Sequence, residues 1–196
     1  MPASNSTRTT TVPDTDPTLG PALLARARRA IATALGLPAG AAVKHPAFAE
    51  RGACFVTLKK SGELRGCIGS IQQRRSLGDD VDDNAVAAAL RDHRFAPVDA
   101  DEWPQLSVEV SLLSRPEFME FRSEQDVLER LEPGVDGVIL FEGCRRATFL
   151  PQVWEQLPEP QTFLGRLKEK AGLSAGHWSD NMMVATYHVD KFAENG

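Results

Sequence analysis

The residue types best suited to chemistry cluster in Leu64-Arg65-Gly66-Cys67-Ile68-Gly69. Two glycines interrupt a run that otherwise reads as a strand, and each weakens it by up to about 1 kcal/mol relative to alanine. A strand carries that cost where it bulges, or where a ligand or another backbone comes close. Gly66 and Gly69 are therefore candidate binding positions. Between them Cys67 offers a sulfur nucleophile or a redox thiol. Arg65, two residues earlier, shares its face in a regular strand. A guanidinium beside a thiol favours the reactive thiolate, and it can stabilise charge on a substrate. The competing reading is a core cysteine. If Ser61 and Gly62 alone form the preceding turn, Cys67 lies opposite Val56 and Arg65 opposite Leu58. The sulfur then sits among apolar neighbours as a small hydrophobe. In that register Cys54 pairs with Gly69 and is diagonal to Cys67 at about 7–8 Å, beyond usual disulfide reach. Cys144, beside Gly143, reads as an exposed thiol.

Other candidates are more dispersed. Glu109 stands mid-strand between Ser107 and Ser111, as a general base or as the buried partner of an arginine such as Arg65 or Arg94. Asp92-x-Arg94-Phe95 reads as a local salt bridge with a ring anchored in the core. Gln152, in Leu150-Pro151-Gln152-Val153, can hydrogen-bond a ligand or its own loop. His45, His93, His177 and His188 stand apart, and there is no CxxC, HxH or HExxH, so no metal site is expected. Neither a phosphate loop nor a dinucleotide fingerprint is present, and no cofactor is expected.

The elements that must position these residues follow from apolar spacing. Leu23, Leu24, Ala27, Ile31, Ala34 and Leu35 mark a helix over Leu19–Leu35. Ala53–Lys60 and Glu63–Ile71 form a hairpin about Ser61-Gly62. Leu77–Arg91 is a helix whose early aspartates suit the macrodipole and lack calcium-loop spacing. Leu106–Ser114 alternates, with Leu106, Val108, Val110 and Leu112 on one face and Ser107, Glu109, Ser111 and Leu113 on the other. A short helix over Gln125–Leu131, a second hairpin of Gly137–Phe141 and Arg146–Leu150, a helix over Gln161–Ala171 and a strand over Met183–Val189 follow. Neighbouring strands come as hairpins and helices intervene irregularly, so the expected class is α+β with a mainly antiparallel sheet flanked by helices.

Composition sets outer limits. The chain has 196 residues, with 22 basic and 27 acidic side chains and a net charge of −5. That balance disfavours bulk attraction to nucleic acid or anionic membrane. A nucleic-acid role would rest on Arg26, Arg28, Arg29, Arg74 and Arg75 alone. No stretch reaches the roughly 20 apolar residues of a membrane span. Three cysteines make a poor disulfide framework and fit a reducing compartment, so a cytoplasmic setting is expected. Residues 1–17 are Thr, Ser, Pro and Asp with almost nothing apolar, and are expected to be a disordered tail before one domain over 18–196.

Leu64–Gly69, LRGCIG, resembles the hallmark hexapeptide of the AMMECR family, also named AmmeMemoRadiSam system protein A. Gly52–Leu58, Asn84-Ala85 with Ala88-Ala89, Asp92-x-Arg94-Phe95, Glu109-Val110-Ser111, Gly137, Leu150–Val153, Phe163-Leu164, Lys170–Gly172 and Trp178 resemble further blocks in the same order. The resemblance spans about Leu19 to Phe192. Asp136 departs from it, standing before Gly137 where many members have histidine. The resemblance implies two subdomains with the hexapeptide near the cleft between them. It points to Asn84, Arg94 and Gln152 as candidate binding residues, and implies a Memo-like protein and a radical SAM protein as partners. It supplies no reaction. Two functional classes stay open: an enzyme or enzyme subunit using Cys67, Arg65 and Glu109, and an adaptor that docks a peptide on the glycine-flanked strand.

Overall fold

A computed structural model describes residues 16–194, so most of the expected N-terminal tail lies outside the described residues. Asp16, its penultimate residue, is placed. Its carboxylate accepts the Thr18 backbone N–H at 2.9 Å and stands 3.1 Å from His45 Nε2, just ahead of the first helix.

The chain folds as α+β. Helix α1 (Leu19–Ala34) buries Leu23, Ala27 and Ile31, four residues apart. Strand β1 (Arg51–Lys60) turns through Ser61 and Gly62 into β2 (Glu63–Gly69). Both turn residues have positive φ, 52° and 85°, the geometry that matches the twist of a two-residue hairpin. A two-residue strand β3 (Arg75–Ser76) leads into helix α2 (Leu77–Leu90), and the Ser76 hydroxyl accepts the Asp79 N–H at its start. Next come β4 (Leu106–Leu113), β5 (Glu117–Phe118), α3 (Glu124–Arg130), β6 (Gly137–Glu142), β7 (Arg145–Phe149) and α4 (Pro160–Lys170). The expected final strand is two strands, β8 (Met182–Tyr187) and β9 (Val189–Ala193), which belong to different sheets. Only His188 separates them, with no glycine or proline to mark the crossing.

One sheet runs β2-β1-β4-β9 with β3 beside the start of β1; the other runs β5-β8-β6-β7. All pairings are antiparallel. In the first sheet Cys54, Val56, Leu58, Val108 and Val110 face α1 and α2 and form the larger core. The second sheet has its own core, in which the Trp154 and Phe163 rings stack at 3.6 Å. A smaller cluster of Ala53, Phe55 and Leu113 with Ile139, Leu150, Tyr187 and Val189 joins the two sheets.

The hairpin register departs from the simple expectation. Lys60 lies opposite Glu63 and Lys59 opposite Leu64, but Leu58 lies opposite Gly66. Arg65 is therefore an extra residue, a bulge, and every later residue of β2 is shifted by one. Cys67 lies opposite Thr57, not Val56, and Phe55, not Cys54, lies opposite Gly69. A one-residue shift moves side chains to the other sheet face. The bulge turns Gly66 toward the helices, where a Cβ would stand 2.2 Å from the Ala88 carbonyl oxygen. Gly69 carries the Phe55 ring, which a Cβ would meet at 2.2 Å. Both glycines thus serve packing. Gly66→Ala, which meets backbone, is expected to cost about 1–3 kcal/mol. Urea unfolding checks this: an unchanged midpoint would contradict it.

Candidate functional site

The bulge places Cys67 on the face turned away from the helices. There it forms a row with Thr57 and Glu109, since Thr57 is the cross-strand partner of both. The Thr57 hydroxyl donates to the Cys67 sulfur at 3.3 Å. Glu109 is largely buried, and its two oxygens meet Lys59 Nζ at 3.0 Å and Lys191 Nζ at 3.4 Å. These lysines are its partners, in place of the expected Arg65 or Arg94. Phe55 precedes Thr57 on the same face and belongs to the cluster joining the sheets. The strip of Cys67, Thr57, Glu109 and Lys191 begins where that apolar contact ends, and Cys67 is half-buried.

The backbone of Cys67 is gripped from outside the sheet. Strand β2 is an edge strand, yet the Cys67 N–H donates to Asp92 Oδ2 at 2.8 Å and its carbonyl accepts from Arg94 Nη2 at 3.0 Å. Arg94 in turn forks onto Asp92, with Nε and Nη2 at 2.9 and 2.6 Å. The Asp92 carboxyl is held well below the ordinary carboxylate range, chiefly by Arg94, with the Cys67 and Arg94 backbone N–H groups adding to it. The sequence reading of a local salt bridge is realised, and it also closes the edge of the hexapeptide strand.

Arg65 does not serve the sulfur. Its Nε and Nη2 lie 2.9 and 2.8 Å from the oxygens of Glu102, and Nη2 also reaches the Ala96 carbonyl at 2.9 Å. The bulge allows this diversion. Glu102, which the sequence reading missed, is shared with Lys60 at 3.1 Å, and its carboxyl is lowered mainly by Arg65.

Asn84 is buried, and its amide is engaged inside the fold. Its amide donates to the Cys54 carbonyl at 3.1 Å and to Asp80 Oδ2 at 2.9 Å. Asp80, itself fully buried, accepts also from the Cys54 N–H, the Ser70 hydroxyl and Arg75 Nε. Only a short polar side chain one helical turn after Asp80 could have signalled this. Cys54 faces the helices, opposite to Cys67, and burial followed by the Asp80 charge pushes its thiol far up. Opposite faces, not a diagonal distance, keep the two thiols apart. Gln152 is exposed, two residues beyond Leu150 of the joining cluster, and has no side-chain hydrogen bond among the described residues. Asp136 is buried; its carboxylate accepts the Glu132 N–H at 2.8 Å, and burial pushes its carboxyl up.

Of the arginines that would have met nucleic acid, Arg26 binds Asp82, Arg28 binds Glu194, and Arg75 binds Asp80 and Asp83. No described helix is long and apolar enough to cross a membrane.

Two antiparallel sheets with separate cores, and a clamped cysteine on one of them, define an α+β protein built around its hexapeptide strand. The chain belongs to the AMMECR1 family, whose model matches residues 24–192. A Methanosarcina barkeri protein is 39% identical over 150 residues, covering 76% of this chain and 74% of that one. A Thermotoga maritima protein is 37% identical over 147 residues, covering 74% and 79%. The crystal structure of an uncharacterized protein from Pyrococcus horikoshii superposes with a TM-score of 0.70 at 31% identity, covering 88% of this chain and 90% of that one.

Asp92→Asn removes the charge that Arg94 and the Cys67 N–H share, and is expected to cost about 2–3 kcal/mol at neutral pH. The unfolded carboxyl titrates near pH 4 and the folded one lower, so this contribution is complete above about pH 4 and is lost as pH falls further. Urea midpoints of both proteins across pH check it: a constant gap down to about pH 5 that narrows in stronger acid is expected. A gap that closes near neutrality would contradict it.

Proposed function

We propose that this protein is an enzyme, or a subunit of one, that uses the Cys67 sulfur from the strip on its first sheet. The observation that carries the reading is the placement of that sulfur. It lies on the half-open face, hydrogen-bonded by Thr57, on a strand whose backbone is fixed from β1 on one side and from Asp92 and Arg94 on the other. Attack by a thiol on an electrophilic centre requires such fixed geometry. Glu109, two strands away in the same row, is about 10 Å off at standard strand spacing. It therefore acts on a substrate reaching across Thr57, not on the sulfur directly. Arg65 contributes by holding the bulge through Glu102, as a positioning residue. Gln152, exposed beside the junction of the sheets, remains the candidate contact from the second sheet's side.

The setting proposed is the cytoplasm, where thiols stay reduced; Cys54, Cys67 and Cys144 are all free. The partners proposed are a Memo-like protein and a radical SAM protein, the other components in the family's fuller name. The adaptor reading needs an open strand edge at Cys67. Asp92 and Arg94 occupy both of that residue's outward backbone groups, which favours the enzyme.

Cys67→Ser tests this in cells that lack the chromosomal copy. The variant is expected to melt within a few degrees of the wild type, because Thr57 can hydrogen-bond the hydroxyl, and to fail to restore the wild-type phenotype. Full complementation by the folded variant would end the nucleophile reading.

A further inference from the structure

The cations around Cys67 outnumber the carboxylates they serve. Glu109 is 11% exposed at its side chain and one ammonium would offset its burial, yet both Lys59 and Lys191 converge on it, 38% and 58% exposed. At the hairpin end the pattern repeats: Lys60 and Arg65 share Glu102, and Arg65 Nη1 is buried without an acceptor among the described residues. On the thiol's own face two cations, Lys59 and Lys191, thus meet one carboxylate beside a half-buried thiol, on a chain whose net charge is −5. The local surplus opposes the sign of the whole. A surplus on a partly buried surface attracts counter-charge.

We infer that the strip binds an anionic group, a carboxylate or a phosphate, of the molecule that meets Cys67. The inference rests on the proposed use of Cys67. Lys59 and Lys191 keep donors free, because an ammonium has three; Lys59 gives one to Glu109, and Lys191 pairs with it at 3.4 Å. An anion seated between them lies within about 10 Å of the sulfur at standard strand spacing. Glu109, at their centre, then rejects an anion that approaches too deeply and fixes its depth.

The test compares iodoacetate with iodoacetamide on the full-length protein, reading Cys67 by peptide mass mapping. Both reagents attack the same thiolate, so their rate ratio cancels its ionisation and reports the field on the anionic reagent. At low salt the ratio at folded Cys67 is expected to exceed that of the urea-unfolded chain by about threefold. It should fall toward the unfolded value in high salt, and in Lys59→Gln combined with Lys191→Gln. Inorganic phosphate and acetate, added separately, are each expected to slow iodoacetamide; the more effective one identifies the group. A ratio equal to the unfolded value, or one insensitive to both salt and the lysine variants, overturns the anion site while leaving the thiol reading intact. If folded Cys67 resists iodoacetamide as buried Cys54 does, the accessible thiol itself is wrong and both readings fall.

Discussion

A single carboxylate at the end of α2 determines what the hexapeptide strand presents. Asp92 draws in the Cys67 N–H from an edge strand that would otherwise leave it to solvent, and Arg94 answers the same residue's carbonyl. Unpaired edge groups invite a further strand. Here they are closed by side chains fixed to one another. The clamp also selects the register. With Cys67 held outward and Gly66 pressed against the Ala88 carbonyl, the chain must accommodate Arg65 as an extra residue, and Glu102 supplies its partner. The cysteine then shares a face with Thr57 and Glu109 and not with Val56 and Leu58.

A second buried carboxylate supports the first from the other end of α2. Asp80 takes donors from Cys54, Ser70, Arg75 and Asn84, which ties the helix to β1 and to the end of β2. Both ends of the helix are thus fixed to the hairpin by charge-assisted hydrogen bonds, while its small residues, Ala85, Ala88 and Ala89, allow close approach. The second sheet is attached through the β8–β9 crossing. Ser114 and His188 exchange hydrogen bonds there, and Tyr187 reaches the Phe149 carbonyl. The joining cluster covers Phe55; on the same face beyond it Thr57 and Cys67 are half-buried and Glu109 is buried.

Much of this was legible in the residues. The turn at Ser61-Gly62, the four helices to within about two residues, and the two faces of Leu106–Leu113 follow from periodicity and turn chemistry. The glycines signalled a bulge but not its position, because the extra residue at Arg65 is fixed by contacts with Ala88, Asp92 and Glu102 that lie far along the chain. That one residue decided whether Cys67 belongs to the core. The glycines were read as marking a bulge or the close approach of a ligand or another backbone; a bulge and the Ala88 carbonyl are found at Gly66, and a phenylalanine ring fills the space at Gly69. Asn84 matched a family block, but such a match does not distinguish a ligand contact from an internal hydrogen bond. The crossing at His188 was hidden because no glycine or proline in Met182–Ala193 marks the change of sheet.

The face on which Cys67 lies can be measured by crosslinking. Opposed residues that do not exchange ladder hydrogen bonds have Cα atoms about 4.5 Å apart, within disulfide range. Thr57→Cys and Val56→Cys would be oxidised separately and mapped by mass spectrometry. The Thr57→Cys protein should form an intramolecular bond to Cys67 readily, and the Val56→Cys protein should not. A crosslink from position 56 and none from position 57 would return Cys67 to the core and contradict the open strip.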